Sequence, residues 1–359
     1  MKTQKYLVIG VMSGTSLDGI DLCEAEFKFE NKHWTFDIIK SETIAYPKPW
    51  VNTLKSIHLL SKQEIYQIDE KYTKYLAEII SGFMTNPENI DLVCSHGHTA
   101  FHQPEKNFTY QIGNLPELAQ QIQKTVVCDF RTADVVLGGQ GAPLVPIGDR
   151  LLFPDYGYCI NIGGFVNVSF EDKGFRKAFD ICPANKVLNY YAEKLGLNYD
   201  DKGKIASQGK CSNDLLSELN SIKFYKQNPP KSLGVECLEK EMLPLLENYN
   251  LAHKDKLNTL CHHIAFQISK VLKNKNSKVL ITGGGAYHEY LIECIKSYST
   301  IGELHIPEAK IVDFKEALIF GFLGILKIRN EVNVLKSVTG AQKDHCSGVV
   351  FLGNKSFIK

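Results

Sequence analysis

The sequence predicts a duplicated α/β protein of two domains. Three observations predict it. An apolar strand runs into a turn of small residues and straight back out as a second strand at residues 5–27, KYLVIGVMSGTSLDGIDLCEAEF. The same device recurs at 158–172, YCINIGGFVNVSFED, with negligible identity to the first but the same pattern of apolar strand, paired glycine and apolar strand. The chain of 359 residues is too long for one small core and suits two domains of ordinary size.

The elements follow in order. Tyr6-Leu7-Val8-Ile9 is β-branched and apolar, and Ile20, Leu22, Ala25 and Phe27 continue the strand pattern beyond the turn. Residues 34–46 read as a further strand and 62–84 as a polar helix. Residues 91–101, DLVCSHGHTAF, read as a strand entering a His/Gly loop, and 125–135 as a strand ending at acid and arginine. Gly and Pro concentrate at 138–146, GGQGAPLVP, the expected domain boundary. In the second half a helix is expected at 186–196, closed by glycine, and a second at 256–274 with an apolar stripe. Residues 277–298 read as strand, triple glycine and helix. Residues 311–329 read as a largely apolar helix in which Gly321 and Gly324 are closely packed. The expected domains are 1–136 and 137–335, with the lobe of 336–359 left open.

Composition narrows the function. Lys plus Arg is 41 and Asp plus Glu is 40, so no basic excess argues for nucleic acid. No stretch approaches the roughly 20 apolar residues that span a bilayer, and no signal-peptide pattern forms before the Gly-Ser-Thr turn. The ten cysteines contain no CxxC pair, and Cys23, Cys128 and Cys159 read as small buried hydrophobes. A reducing, cytoplasmic compartment is expected.

The turn at 13–19 offers backbone N–H groups, hydroxyls and a carboxylate at one point, the equipment for phosphate and Mg²⁺. The alternative is a tight hairpin that happens to hold glycine. Asp18 and Asp21 favour the first reading, because a carboxylate repels phosphate unless a metal mediates. The turn lacks the lysine of GxxxxGK[ST], which excludes a Walker-type loop. Gly283-Gly284-Gly285 allows close backbone approach to a ring or phosphate, but it is not the dinucleotide fingerprint. Asp180, before a proline break, reads equally as a general base or as the N-cap of the helix beginning near 185. His96, His98 and His102 with Cys94, and Cys261 with His262 and His263, fit no closed zinc spacing. The two adjacent histidines are expected on different helix faces, and the SHGH segment is expected to face substrate.

Taken together, MSGTSLDGID (12–21), SHGHTAFHQP (95–104), DFRTADVVLGGQGAPLVP (129–146), NIGGFVNVS (161–169), FDICPANKVLN (179–189), PPKSLG (229–234), TGGGAYHEYL (282–291) and SVTGA (337–341) occur in this order. Together they closely resemble the anhydro-N-acetylmuramic acid kinases, of the acetate and sugar kinase, actin and heat-shock chaperone ATPase superfamily. The resemblance covers nearly the whole chain. It implies two ribonuclease H-like lobes with ATP and sugar in the cleft between them.

It also implies roles. Gly14, Thr15, Ser16, Asp18, Gly19 and Asp21 form the first phosphate loop, with Asp18 holding Mg²⁺ through water. Asn161, Gly163 and Gly164 form the second, and Gly283, Gly284 and Gly285 lie against the adenosine. Asp180 becomes the base that drives water onto the anomeric carbon of 1,6-anhydro-N-acetylmuramic acid. The freed 6-oxygen takes the γ-phosphoryl group, giving N-acetylmuramic acid 6-phosphate and ADP, a step in cell-wall amino-sugar recycling. His96, His98, Arg131, Gln140 and Glu316 are the expected sugar contacts, with a structural ion pair to Asp129 or Asp134 as the alternative for Arg131 and an exposed first-turn residue as the alternative for Glu316. ATP, Mg²⁺ and the anhydro sugar are the expected ligands, and a homodimer the expected assembly. Competing readings are a kinase of an anhydro sugar lacking the lactyl group, of the levoglucosan type, and a non-catalytic ATP-dependent sensor. The chain departs from the common family pattern at His98 (usually Gln), at Asn114 (usually Asp) and at Cys182-Pro183-Ala184-Asn185 (usually GPGN). These departures bear on sugar specificity more than on phosphoryl transfer, and His98 is expected to titrate near neutrality.

Overall fold

The computed structural model describes residues 3–14, 17–299 and 302–353. Thr15 and Ser16 of the first turn lie outside the described residues. The chain forms two compact units, one of residues 1–153 with 314–359 and one of 154–313.

In the first unit three consecutive strands, β1 (Gln4–Ser13), β2 (Gly19–Glu30) and β3 (His33–Ala45), form an antiparallel meander. β4 (Leu92–Gln103) then joins β1 in parallel, and β6 (Val126–Cys128) joins β4 in parallel. β5 (Phe108–Ile112) pairs with β4, and β12 (Val349–Phe351) closes the far edge against β6. The sheet order is β12-β6-β4-β1-β2-β3. In the second unit β7 (Tyr158–Ile162), β8 (Phe165–Asp172) and β9 (Phe175–Pro183) repeat the meander, and β10 (Lys278–Thr282) and β11 (Glu303–His305) repeat the parallel additions. Their order is β11-β10-β7-β8-β9. Three antiparallel strands followed by parallel strands on the first strand's free side is the ribonuclease H-like plan, present twice, as the two strand–glycine–strand devices predicted.

The helix Lys62–Phe83 shows why these segments take these shapes. Ser61 and Glu64 form a reciprocal capping box at its start. Ile65, Tyr72, Leu76, Ile80 and Phe83 recur at helical spacing and are buried against the first sheet. The helix Ala309–Ile328 carries Phe320, Phe322, Leu323 and Leu326 into the first unit's interior; each contributes on the order of 1.5–3 kcal/mol by leaving water. The backbone of Gly10 on β1 meets this helix so closely that a Cβ there would lie 1.8 Å from the Ala317 carbonyl oxygen.

Two expectations need correction. Residues 91–101 do not break into a loop at the histidines. β4 runs on to Gln103, because β1 and β5 flank it there, and Gly97 at φ +71° absorbs the register irregularity. The units also divide at 153/154 and 313/314 rather than at 136/137 and 335/336. The Gly/Pro segment at 138–146 is held inside the first unit: Gly141 N–H donates to Asp134 Oδ2 (2.7 Å) and Gln140 N–H to the Thr339 carbonyl (2.8 Å). Residues 337–351, whose lobe the sequence left open, belong to that unit, with Thr339 Oγ1 donating to Asp134 Oδ1 (2.7 Å) and Ser347 Oγ to the Phe130 carbonyl (2.6 Å). No helix among the described residues is long and apolar enough to cross a membrane.

Candidate active site

In the first unit, β1 delivers Ser13 to the mouth of the glycine turn, in register with His98 of β4. Ser13 Oγ is 2.5 Å from the Tyr46 hydroxyl, 2.8 Å from the Tyr72 hydroxyl and 3.3 Å from His98 Nδ1. The two tyrosine hydroxyls are 2.6 Å apart. His98 is only 2% exposed, and burial lowers its pKa to about 4. The expected titration near neutrality is therefore overturned: a buried imidazole stays neutral because the cation would be desolvated. Within the turn Asp18 is exposed, while beyond it Asp21 Oδ1 accepts from Thr43 Oγ1 at 2.6 Å.

His96 and Arg131 meet directly. His96 Nδ1 lies 2.7 Å from the Gly97 carbonyl and must donate to it, so Nε2 is bare and accepts from Arg131 Nε at 2.8 Å. Arg131 NH1 donates to the Gly141 carbonyl at 2.6 Å. Burial, with the neighbouring guanidinium, pushes His96 well below its usual range, and burial lowers Arg131 to about 10 against the pull of Glu316 and Asp134. Neutral His96 thus orients a charged Arg131. No ion pair within 4.0 Å joins Arg131 to Asp129 or Asp134 among the described residues; Asp129 accepts from Thr132 and Asp134 from Gly141 and Thr339.

Glu316 lies in the interior of the helix Ala309–Ile328 and is half-buried, not a surface first-turn residue. Burial raises its pKa, and Lys315 and Arg131 pull it back. Gln140 is exposed, its backbone fixed by Thr339. Asn114 donates from Nδ2 to the His96 carbonyl (3.3 Å), while its Oδ1 is buried with no partner. The residues that support this side were not legible. Tyr46, just after β3, and Tyr72, in a helix, have no motif to mark them, and Asp69, which accepts from Gly113 N–H, Tyr110 and Thr73, reads as an ordinary helix residue.

In the second unit the Gly163-Gly164 turn is tied to the chain after Asp180. Ala184 N–H donates to the Gly164 carbonyl (2.9 Å) and Asn185 N–H to the Gly163 carbonyl (3.1 Å). The triple glycine packs against the same strand. A Cβ on Gly283 would fall 2.7 Å from Asn161 Oδ1, and one on Gly285 would fall 2.1 Å from Ile162 Cγ2. Gly284 and Gly285, with Asn185, Leu188, Tyr199 and Asp200, border a cleft of about 660 Å³. That volume lies within the usual range for small-molecule and cofactor sites. His288 closes the glycine segment, accepting the Leu291 N–H on Nδ1 at 3.1 Å as the cap of the helix Glu289–Tyr298. The adjacent pair His262 and His263 serves packing: His263 is buried between Asn220 and Tyr225, and His262 packs on Tyr290.

Asp180 stands on β9, opposite Asn167. It does not cap the following helix; that position is Ala184, with no side-chain cap. One carboxylate oxygen, Oδ2, accepts the Leu233 N–H at 2.8 Å, and the Asp180 N–H donates to the Lys231 carbonyl at 3.1 Å. Oδ1 has no hydrogen-bond partner among the described residues. Burial raises the pKa of the carboxyl, and the Leu233 bond offsets part of that rise. The segment 229–234, singled out in the sequence only as a motif, is therefore the brace of this carboxylate.

Residues 6–353 match the anhydro-N-acetylmuramic acid kinase family. A relative of that name from Francisella tularensis subsp. novicida is 32% identical, with 95% of this chain and 97% of the relative covered. Others of the same name, from Caldanaerobacter subterraneus subsp. tengcongensis (29% identical) and Vibrio vulnificus strain CMCP6 (31%), each align over 97% of this chain and 98% of their own length. An order of motifs legible in the sequence, two ribonuclease H-like sheets and an end-to-end match converge, and the chain belongs to the anhydro-N-acetylmuramic acid kinase family.

Proposed function

We propose that the chain opens the 1,6-anhydro bond of 1,6-anhydro-N-acetylmuramic acid with water and transfers the γ-phosphoryl group of ATP to the freed 6-oxygen. The observation that carries this reading is Asp180. One oxygen is anchored by the Leu233 N–H and the other is open, with a proton affinity raised by burial. That is the arrangement of a general base.

Asp180 Oδ1 takes a proton from water as the water oxygen bonds to the anomeric carbon. The bond from that carbon to the 6-oxygen breaks, and its electron pair goes to the 6-oxygen. That oxygen bonds to the γ-phosphorus, and the bridging oxygen leaves with ADP. Asp180 then gives that proton up to solvent, so water, sugar and ATP yield the 6-phosphate, ADP and one proton.

The cleft beside Gly284 and Gly285 suits the nucleoside, and we assign its phosphates to the glycine segments 14–19 and 163–164 on their sequence motifs. Among the described residues no three His, Cys, Asp or Glu side chains gather as a metal site. The one exposed carboxylate of the turn, Asp18, would therefore hold Mg²⁺ together with water and phosphate oxygens, as that ion prefers. Bound there, Mg²⁺ would neutralise phosphate charge, which is most of what phosphoryl transfer requires. Arg131, oriented by His96, is the cation for the lactyl carboxylate, and Glu316 and Gln140 are polar groups for the sugar ring.

The test is Asp180→Asn, assayed for sugar 6-phosphate with nucleotide binding measured in parallel. Product formation is expected to fall by about 10²–10⁴-fold while ATP binding is retained. Undiminished product would remove Asp180 as the base. Equal or better turnover of an anhydro sugar without the lactyl group would reassign the substrate.

A further inference from the structure

We propose that a closed ring of three hydroxyls, Ser13, Tyr46 and Tyr72, sets the tautomer of His98, so that a bare His98 Nε2 accepts a hydrogen bond from an O–H or N–H of the sugar. The proposal rests on the sugar-kinase reading above and adds to it the chemistry of one contact and the residues that impose it.

The proton count decides the tautomer. Ser13, Tyr46 and Tyr72 approach one another pairwise at 2.5, 2.8 and 2.6 Å, which makes three oxygen–oxygen edges. Three hydroxyls own three protons, so a closed ring in which each donates once and accepts once uses all of them. A fourth edge remains, Ser13 Oγ to His98 Nδ1 at 3.3 Å. Every hydroxyl proton is already spent in the ring, so the proton on this edge must come from Nδ1. Were Nδ1 the acceptor, only three protons would serve four edges, and one short contact would bring two lone pairs together in a buried place. Ser13, Tyr72 and His98 are each at most 2% exposed and Tyr46 is 7% exposed, so water cannot make good the deficit.

With Nδ1 protonated and the imidazole neutral, Nε2 carries a lone pair and no proton. No described residue donates to it. It is an unfilled acceptor on a buried side chain, in register with the residue that opens the glycine turn. Ionised phosphate oxygens are acceptors only and would be repelled by this lone pair. Sugar hydroxyls and an acetamido N–H are donors and would fill it. The same logic operates two residues earlier, where His96 Nδ1 donates to a carbonyl and its bare Nε2 takes the Arg131 N–H. Ser13, Tyr46 and Tyr72 are therefore positioning residues, and His98 is the specificity contact.

The experiment combines ¹⁵N-histidine NMR of the full chain without ligand and steady-state kinetics. In the wild type His98 is expected to show a protonated Nδ1 and a bare Nε2 at neutral pH; a proton on Nε2 overturns the proposal. Tyr72→Phe opens the ring, freeing the Ser13 hydroxyl to donate to Nδ1. The proton is then expected to appear on Nε2 in part of the population, and the KM for the anhydro sugar to rise about tenfold with the KM for ATP unchanged. An unaltered tautomer with an unaltered sugar KM overturns the proposal. Tyr46→Phe opens the same ring from the segment just after β3 rather than from the helix that carries Tyr72, and must show the same pattern, which separates the effect from damage to one helix. A wild-type enzyme that does not phosphorylate the sugar would instead overturn the kinase reading, and the tautomer would still be read.

Discussion

Asp180 combines two effects with opposite consequences for activity and stability. Burial raises its pKa, so the proposed base is lost at a higher pH than an ordinary aspartate would be. The acidic limb of the pH–rate profile is expected at that raised position and to vanish with the activity in Asp180→Asn. The sign for folding follows from the same shift. A carboxyl whose folded pKa is raised destabilises the fold when ionised, fully above its folded pKa and not at all below its unfolded pKa of about 3.9. Asp180→Asn, whose amide oxygen still accepts the Leu233 N–H, is therefore expected to raise Tm at neutral pH, and the gain should shrink to nothing below about pH 4. Thermal unfolding of both proteins across pH measures this. His98 supplies a second prediction. With its pKa near 4, an NMR titration should show it neutral throughout the physiological range. Any inflection near 6.5 assigned to it would contradict the buried hydroxyl ring.

The helix Ala309–Ile328 makes the glycine pattern quantitative at the level of elements. The sequence marks both Gly321 and Gly324 as closely packed, and the structure separates them. A Cβ on Gly324 would lie 2.0 Å from Cys94 Sγ, whereas one on Gly321 would meet Gly10 Cα at an ordinary 3.5 Å. Gly324→Ala is expected to cost about 1–3 kcal/mol through overpacking. Gly321→Ala should be neutral or gain up to about 1 kcal/mol, because alanine is the better helix former. Gly10→Ala drives a Cβ onto backbone at 1.8 Å, where no side chain can give way, and should cost more than about 3 kcal/mol or prevent folding. Denaturant unfolding of the three variants ranks them.

The first unit as a whole is closed by its C-terminal segment. Asp134 is fully buried and is satisfied by Gly141 N–H and Thr339 Oγ1, while Asn333 and Ser347 stitch the end of the chain to the long helix and to Phe130. Thr339→Ala leaves half of a buried carboxylate short of a donor and should cost about 1–3 kcal/mol. Truncation after 335 removes that donor, Ser347 and the edge strand β12 together. It should unfold the first unit, seen as loss of its protection in hydrogen exchange, with the sheet of the second unit losing none of its own strands.

The sequence by itself determined the duplicated strand plan, the motif order that marks the family, and Asp180 as the carboxylate to watch. Those properties are local: alternation along a strand, glycine at a turn and acid before proline are written in consecutive residues. Only the tertiary structure decided what meets what. Tyr46, Tyr72 and His98 are 26 residues or more apart in sequence, and no pattern in their neighbourhoods announces a shared set of protons. The brace of Asp180 comes from 53 residues downstream, and the partner of Asp134 from 205. Burial, which shifts the proton affinities of His96, His98 and Asp180, is a property of all the elements around a side chain rather than of the side chain itself. A linear reading can name the groups; the packed fold fixes their protons.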